Sequence, residues 1–401
     1  MTKSEQIIEK TEKFGAHNYH PLPVVIAKAK GIMVTDPEGK TYYDFLSAYS
    51  AVNQGHLHPE IIKALKDQAD KVTLTSRAFH NDILGDFLEQ LCNYTGYEMA
   101  IPMNTGAEAV ETAMKLARRW GVEVKGVENG KQEIIFAREN FHGRTISVIS
   151  ASNDPEARIN YGPYTEGIKL IDYNDTKALE DAINENTVAF IFEPIQGEAG
   201  VNVPDAGYLA KVREICTKNN IMMIADEVQT GFCRTGKKFA VNHEENARPD
   251  AMTLGKALGG GVFPVSAVVA DKKFMSLFTP GTHGSTFGGN PLACAVAMAS
   301  LNVLDNENLA DKSEKLGKIF RDEVKKIKCD KIVKVRGKGL LNAVLFEEGF
   351  EAWDTCVTLM ENGLLAKQTH GNIIRFAPPL TIKEDELMKA IAIIKEVFEK
   401  I

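Results

Sequence analysis

Five short apolar runs punctuate the middle of the chain: MAIPM (99–103), EIIFA (133–137), VAFIF (188–192), IMMIA (221–225) and AMTL (251–254). Each is the length of a strand and has few polar breaks, the pattern of strands buried on both faces. Between several of them lie stretches of helical spacing, as in AEAVETAMKLARRW, where Val110, Met114 and Ala117 recur at intervals of four and three. Alternating strand and helix predict an α/β fold with a mostly parallel sheet covered by helices on both faces. Past about residue 290 the pattern changes to a long Ala/Leu-rich helix, then strand-like KIVKVRG, LLNAVLF and NIIRFA, then a closing helix. Thr381 and Glu384 at that last helix have capping-box spacing. The reading is a large domain over 46–290, a smaller α+β domain over 291–401, and an N-terminal segment, 1–45, that joins the small domain.

Ligands of open parallel sheets collect beyond the carboxyl ends of the strands. The residues that follow the apolar runs are therefore the ones to weigh. They are NTGAEA, RENFHGRT, EPIQGEAG, DEVQTGFCRTG and, after AMTL, a lysine among glycines in GKALGGG. A lysine in such a loop can be solvated, can hold a phosphate, or can serve as a nucleophile. The phosphate-loop pattern fails here, because Asp250 stands where its first glycine belongs and Ala257 follows Lys256. Asn104 or Thr105 can cap a helix that begins with Gly106 and Ala107, small residues whose backbone N–H groups can approach an anion. Asp226 closes an apolar strand, where a carboxylate is costly unless it is paired. A lysine amine, a carboxylate and a phosphate cradle together match the needs of pyridoxal phosphate. Phe141 can then lie on the ring face and Gln229 can reach the ring hydroxyl.

Composition narrows the partners. With a net charge of -7 and no run of five basic residues, the chain offers little to a phosphate backbone, so nucleic acid is not expected. Six scattered cysteines without a CxxC pair read as reduced thiols. HLHPE and HNYH lack acidic or cysteine partners at ligand spacing, so no metal is expected. The first residues, MTKSEQIIEKTEKF, mix acids with bases and carry no apolar signal core, and no apolar run reaches the length of a membrane span. The expectation is a cytoplasmic protein.

IADEVQTGFCRTG together with LGKALGGG resembles the signature of the class III, pyridoxal-phosphate-dependent aminotransferases of fold type I, and the resemblance runs along essentially the whole chain. It implies a seven-stranded, mostly parallel sheet in the large domain and a homodimer with its active site at the interface. It also implies that Lys256 binds the cofactor covalently, Asp226 pairs with its ring nitrogen, and Gln229 meets the ring hydroxyl. Phe141 would stack on the ring with His142 beside it, Gly106 and Ala107 would hold the phosphate, and Thr286 would reach the phosphate in the partner subunit. The set GAHNYHPLPV, SAYSAVNQGH, NTGAEAVETA, FHGRT and EPIQGEAGV is similar to members that move the δ-amine of L-ornithine to 2-oxoglutarate. In that reading Arg375 pairs with Glu198 while ornithine is bound, and Arg144, helped by Tyr19, takes the ornithine carboxylate. Tyr49 shapes the pocket and Glu193 supports the site. The alternatives left open are acetylornithine or 4-aminobutyrate as the amine donor.

Overall fold

The computed structural model describes residues 1–401. Seven strands build the central sheet: β1 (Met99–Met103), β2 (Glu133–Ala137), β3 (Ile168–Ile171), β4 (Thr187–Phe192), β5 (Met222–Asp226), β6 (Ala251–Leu254) and β7 (Ser266–Ala270). Their spatial order is β1-β7-β6-β5-β4-β2-β3. Only β7 runs against its neighbours, β1 and β6, so β1, β2, β4, β5 and β6 all end at the same edge.

The apolar runs are apolar because both faces of the sheet are covered. All six residues of β4 are buried. Phe190 and Phe192 face the larger core, while Val188, Ala189 and Ile191 belong to a second core beneath helix α1 (Gly106–Trp120). Val110, Met114 and Ala117 lie in that second core, as their spacing predicts. Two strands escaped the reading of apolar runs. β3 sits at the sheet edge with only Ile171 fully buried, and Lys169 interrupts its pattern. β7 lies within the longer hydrophobic stretch after Lys256, whose length hides where the strand begins.

The small domain carries a four-stranded antiparallel sheet, β8 (Ile332–Lys338), β9 (Leu341–Phe346), β10 (Lys367–Thr369) and β11 (Ile373–Phe376), in the order β8-β9-β11-β10. Helices α2 (Pro291–Asn306), α3 (Leu309–Val324) and α4 (Glu384–Phe398), with a shorter helix at Ala352–Glu361, complete the C-terminal part. The cap of α4 differs from the sequence reading. The helix starts after Lys383, whose N–H is taken by the Glu386 carboxylate at 2.8 Å, and Thr381 Oγ1 is left without a partner. The N-terminal segment joins the small domain through a sheet: strands at Lys28–Lys30, Met33–Thr35 and Thr41–Asp44 pair with one another and with Leu364–Leu365.

One buried group ties these parts together. The Arg234 guanidinium is wholly enclosed and donates to Asn53 Oδ1 (3.0 and 2.5 Å), Leu340 O (3.0 Å) and Pro378 O (2.7 Å). Its partners are neutral oxygens, and burial drives its pKa down to about 9.

Candidate active site

The five aligned strand ends open into one cavity of about 180 Å³. Gly106 and Ala107 follow β1, Phe141 and His142 follow β2, and Glu193 and Glu198 follow β4. Asp226 and Gln229 come from the end of β5, and Lys256 from the end of β6. The structure thus gathers nine of the fourteen residues singled out by sequence on a single cavity wall.

Thr105 caps α1 as half of a capping box. Its Oγ1 accepts the Glu108 N–H at 3.2 Å, and the Glu108 carboxylate accepts the Thr105 N–H at 2.7 Å. The box uses the third helical amide and the cap amide, so those of Gly106 and Ala107 remain for a ligand at the positive end of the helix. A Cβ on Gly106 would lie 3.0 Å from Val228 Cγ1, which keeps this turn free of side chains on that side.

Asp226 is fixed from several directions. Oδ1 accepts from Thr253 Oγ1 (2.9 Å) and from the Val228 N–H (3.1 Å), and Oδ2 takes His142 Nδ1 at 2.6 Å. Burial opposes a charge on His142, but the hydrogen bond and charge of Asp226 outweigh it and raise the imidazole pKa. Glu193 accepts the Phe141 N–H at 3.0 Å and so holds the loop that carries Phe141 and His142. Burial, only partly offset by His142, pushes the Glu193 pKa up to about 7.

Lys256 starts a short 3-10 turn, Lys256–Gly259, with a left-handed φ of 45°. Such a backbone costs energy in any non-glycine residue and persists only where the surroundings enforce it. The turn closes through Gly260 (φ 57°), where a Cβ would lie 2.7 Å from Ile61 Cδ1. Burial lowers the Lys256 pKa, aided by Arg375 and opposed by Glu198, Asp226 and Glu193. More of the amine is therefore neutral at a given pH, the form that attacks a carbonyl or accepts a proton.

On the small-domain side, Arg375 Nη1 meets Glu198 Oε1 at 2.7 Å, with the arginine side chain 4% exposed. Gln229 Nε2 donates to the same Glu198 oxygen at 2.8 Å. A side chain at Gly197 would place its Cβ 1.5 Å from Gln229 Oε1, so only glycine leaves room for this arrangement. Burial raises the Glu198 pKa, but Arg375, Lys256 and the two hydrogen bonds hold it down at about 2. Tyr49 lies under the guanidinium, with Arg375 Cζ 5.1 Å from its ring centroid. It sits in a turn, Ser47–Ser50, in which four successive residues have φ between 48° and 72° or just below, at 48°, 45°, 59° and 72°. Left-handed L-residues cost roughly 1–2 kcal/mol each, so this turn stores strain next to the cavity. Asp44 braces it, its Oδ1 accepting the Leu46 and Ser47 N–H groups at 2.9 Å.

Three other residues singled out by sequence lie away from the cavity wall. The Arg144 side chain is 60% exposed, 3.6 Å from Asp154 and stacked 5.0 Å from the Phe141 centroid. Tyr19 is 78% exposed and borders a separate apolar hollow that it shares with Tyr49. Thr286 is exposed on a loop tied back to the cradle by Asn104 Nδ2 and Ser285 Oγ (2.8 Å). Sequence reasoning missed Thr253. It stands directly opposite Asp226 in the β5–β6 register, and its only signal was a hydroxyl inside an otherwise apolar run.

The model for aminotransferase class-III matches residues 14–398, and the chain belongs to that family. It is 57% identical over 394 residues to the ornithine aminotransferase of Oceanobacillus iheyensis, spanning 98% of both chains. An ornithine aminotransferase structure from Toxoplasma gondii, with pyridoxal phosphate at partial occupancy at its active site, superposes with a TM-score of 0.97. It is 46% identical and the match covers 99% of this chain and 94% of that one. An acetylornithine aminotransferase structure from Elizabethkingia anophelis superposes with a TM-score of 0.91 at 51% identity, covering 100% of both.

Class-III aminotransferases use pyridoxal phosphate, and the cavity suits it. Its lining joins a buried amine, a braced carboxylate and the free amides of a helix start. Two buried polar atoms, Gln229 Oε1 and His142 Nε2, have no protein partner.

Proposed function

We infer that this protein is an ornithine δ-aminotransferase: it transfers the δ-amino group of L-ornithine to 2-oxoglutarate, yielding glutamate 5-semialdehyde, which cyclises to pyrroline-5-carboxylate, and glutamate. The observation that carries the reading is the buried 2.7 Å pair of Arg375 and Glu198. An arginine free in that place would bind the carboxylate next to an α-amine and direct the α-carbon into the cavity. Paired, it leaves the δ-end of ornithine as the end that enters.

Pyridoxal phosphate, when bound, supplies an aldehyde that takes up amines and a cationic ring that accepts the electron pair left when a C–H bond breaks. Lys256 would hold it covalently, Asp226 would keep its ring nitrogen protonated, and Gly106 and Ala107 would hold its phosphate. His142 acts through Asp226, fixing the carboxylate at 2.6 Å. Once displaced, Lys256 Nζ is the base positioned to carry a proton, and holding it in place replaces a diffusing base. Arg144 would bind the ornithine α-carboxylate, with Tyr19 closing over it. When 2-oxoglutarate enters, Glu198 turns away and Arg375 takes the carboxylate beside the keto group in a bidentate grip, leaving Arg144 the distal one.

We also place the enzyme in the cytoplasm as a homodimer. Exposure of Thr286 and of Phe287 (51%) on the loop beside the cradle supports a second subunit packed there. No helix is long and apolar enough to cross a membrane.

Comparing turnover of ornithine, acetylornithine and 4-aminobutyrate with 2-oxoglutarate tests the reading. Ornithine should give the highest kcat/KM. A higher value for acetylornithine would place the chain functionally with the Elizabethkingia anophelis enzyme instead.

A further inference from the structure

In a chain of net charge -7, the stretch KKIKCDKIVKVRGK (325–338) carries seven cations and one carboxylate. It runs from the end of α3 into β8, and part of it forms one wall of a cleft of about 650 Å³ between the small and large domains. Arg321, Lys325, Lys334 and Arg336 line that wall. The two arginines are half-buried, and their hydrogen bonds go to neutral oxygens. Arg321 Nη1 donates to Gly339 O (2.9 Å) and Asn342 Oδ1 (2.8 Å), and Arg336 donates to Gly200 O (2.8 Å) and Ala199 O (3.4 Å). Burial lowers the pKa of both, which marks cations that have given up solvent without gaining a bonded counter-charge.

Three of the acids nearby are already engaged. Across the cleft Asp172 pairs with Arg138 at 3.1 Å, and the Glu139 carboxylate accepts Asn153 Nδ2 at 2.5 Å. Asp322 pairs with Lys318 at 2.7 Å, and Glu314 lies close enough to Arg321 to bear on it without bonding it. Neither Lys325 nor Lys334 enters an ion pair. The cleft therefore presents two guanidinium and two ammonium groups to a space large enough for a small metabolite.

Its position matters as much as its charge. Ala199 and Gly200, the residues Arg336 holds, directly follow Glu198, and the Gln196–Asn202 bridge closes the same loop. Gln196 and Asn202 also line the cleft. We propose that this interdomain cleft binds a small polyanion, a compound with two or more phosphate or carboxylate groups, and that its occupancy bears on the loop carrying Glu198. An anion that draws Arg336 towards it loosens the grip on Ala199 and Gly200, and with it the seat of Glu198. The binding half of the proposal stands apart from the assignment of substrate, whereas the coupling half rests on reading Glu198 as the partner Arg375 must leave.

The test uses the holoenzyme, whose cofactor phosphate site is filled, titrated by calorimetry with inorganic pyrophosphate and separately with citrate at low ionic strength. One saturable site per chain is expected for at least one of them, and which binds tighter separates phosphate from carboxylate ligands. The double variant Lys325→Ala/Lys334→Ala should bind at least tenfold more weakly while its turnover without added anion stays unchanged. No saturable binding of either probe, or equal affinity in the double variant, overturns the site. At matched ionic strength, saturating anion should shift the ratio of the ornithine to glutamate half-reaction rates by twofold or more in the wild type and not in the double variant. An unmoved ratio with binding intact overturns the coupling alone.

Discussion

Asp226 lies on the cavity wall and Arg144 outside it, stacked on Phe141, and the chain treats them differently. Asp226 is buried, and each of its oxygens is partnered by groups from β6, the following loop and the β2 loop. Arg144 is largely exposed, and its one carboxylate neighbour is 3.6 Å away. The cavity wall is held ready, whereas Arg144, Tyr19 and Thr286, which we propose as the rim of the site, are exposed. Groups that do chemistry on the cofactor gain from fixed geometry, since a carboxylate or amine in the right place costs no reorganisation during reaction. Groups that admit two substrates in turn have to be released between them. Arg375 and Glu198 occupy the middle ground: buried and paired, yet joined by a contact that one carboxylate can undo.

The largest effect should come from the inner wall. Lys256→Ala should lower turnover by roughly 10³-fold or more, the scale of losing a positioned base and nucleophile. The visible absorbance of the bound cofactor should change with it, and wild-type rates in this variant would remove the lysine from the mechanism. At the rim the loss should be smaller and confined to binding. Arg144→Ala should raise KM for ornithine by about 10- to 100-fold, the scale of one charge-assisted hydrogen-bonded contact, with a lesser change in kcat. A fall in kcat as deep as that of Lys256→Ala would erase the distinction between wall and rim.

Glu198→Ala probes the boundary. Freed Arg375 should favour glutamate over ornithine in the half-reactions, by about tenfold if one charged contact is redirected. The same variant carries a pH signature. The Glu198 pKa is depressed from 4.5 to about 2 in the fold, so its contribution to stability is complete above 4.5 and drains away as pH falls towards 2. Thermal melts of wild type and variant should therefore differ most at pH 6, with the gap narrowing below pH 4.5 and closing only towards pH 2. A gap that stays constant over that range would mean the ion pair does not hold the two domains together.

What the sequence disclosed follows from the same physics. The strands ending in polar groups were readable because strands buried on both faces must be apolar throughout, so a carboxylate at the end of IMMIA or a lysine after AMTL stands out. The edge strand β3 has no such constraint and was passed over. Contacts between distant residues left no local mark: His142 and Asp226 are 84 residues apart, and Arg375 and Glu198 are 177 apart. The second pair was reached only through resemblance to a family. The hydroxyl of Thr253 in AMTL gave no sign of its partner, because that role depends on β5–β6 register. The left-handed turn under Tyr49 was hidden too, since SAYS contains no glycine to announce it.

Arg234 adds a consequence for how the molecule is made. Its guanidinium reaches across 181 residues to Asn53, 106 to Leu340 and 144 to Pro378. Contacts of such long range form late in folding, because the entropy of closing those loops has to be met first. Until all of them arrive the arginine would be an enclosed charge with few acceptors, so partial docking of the small domain gains little from it. The strand bearing Arg375 ends two residues before Pro378, and Tyr49 lies four before Asn53. A nascent chain released before its last 25 residues would lack Pro378, one of the acceptors that fix Arg234 between Tyr49 and the strand of Arg375.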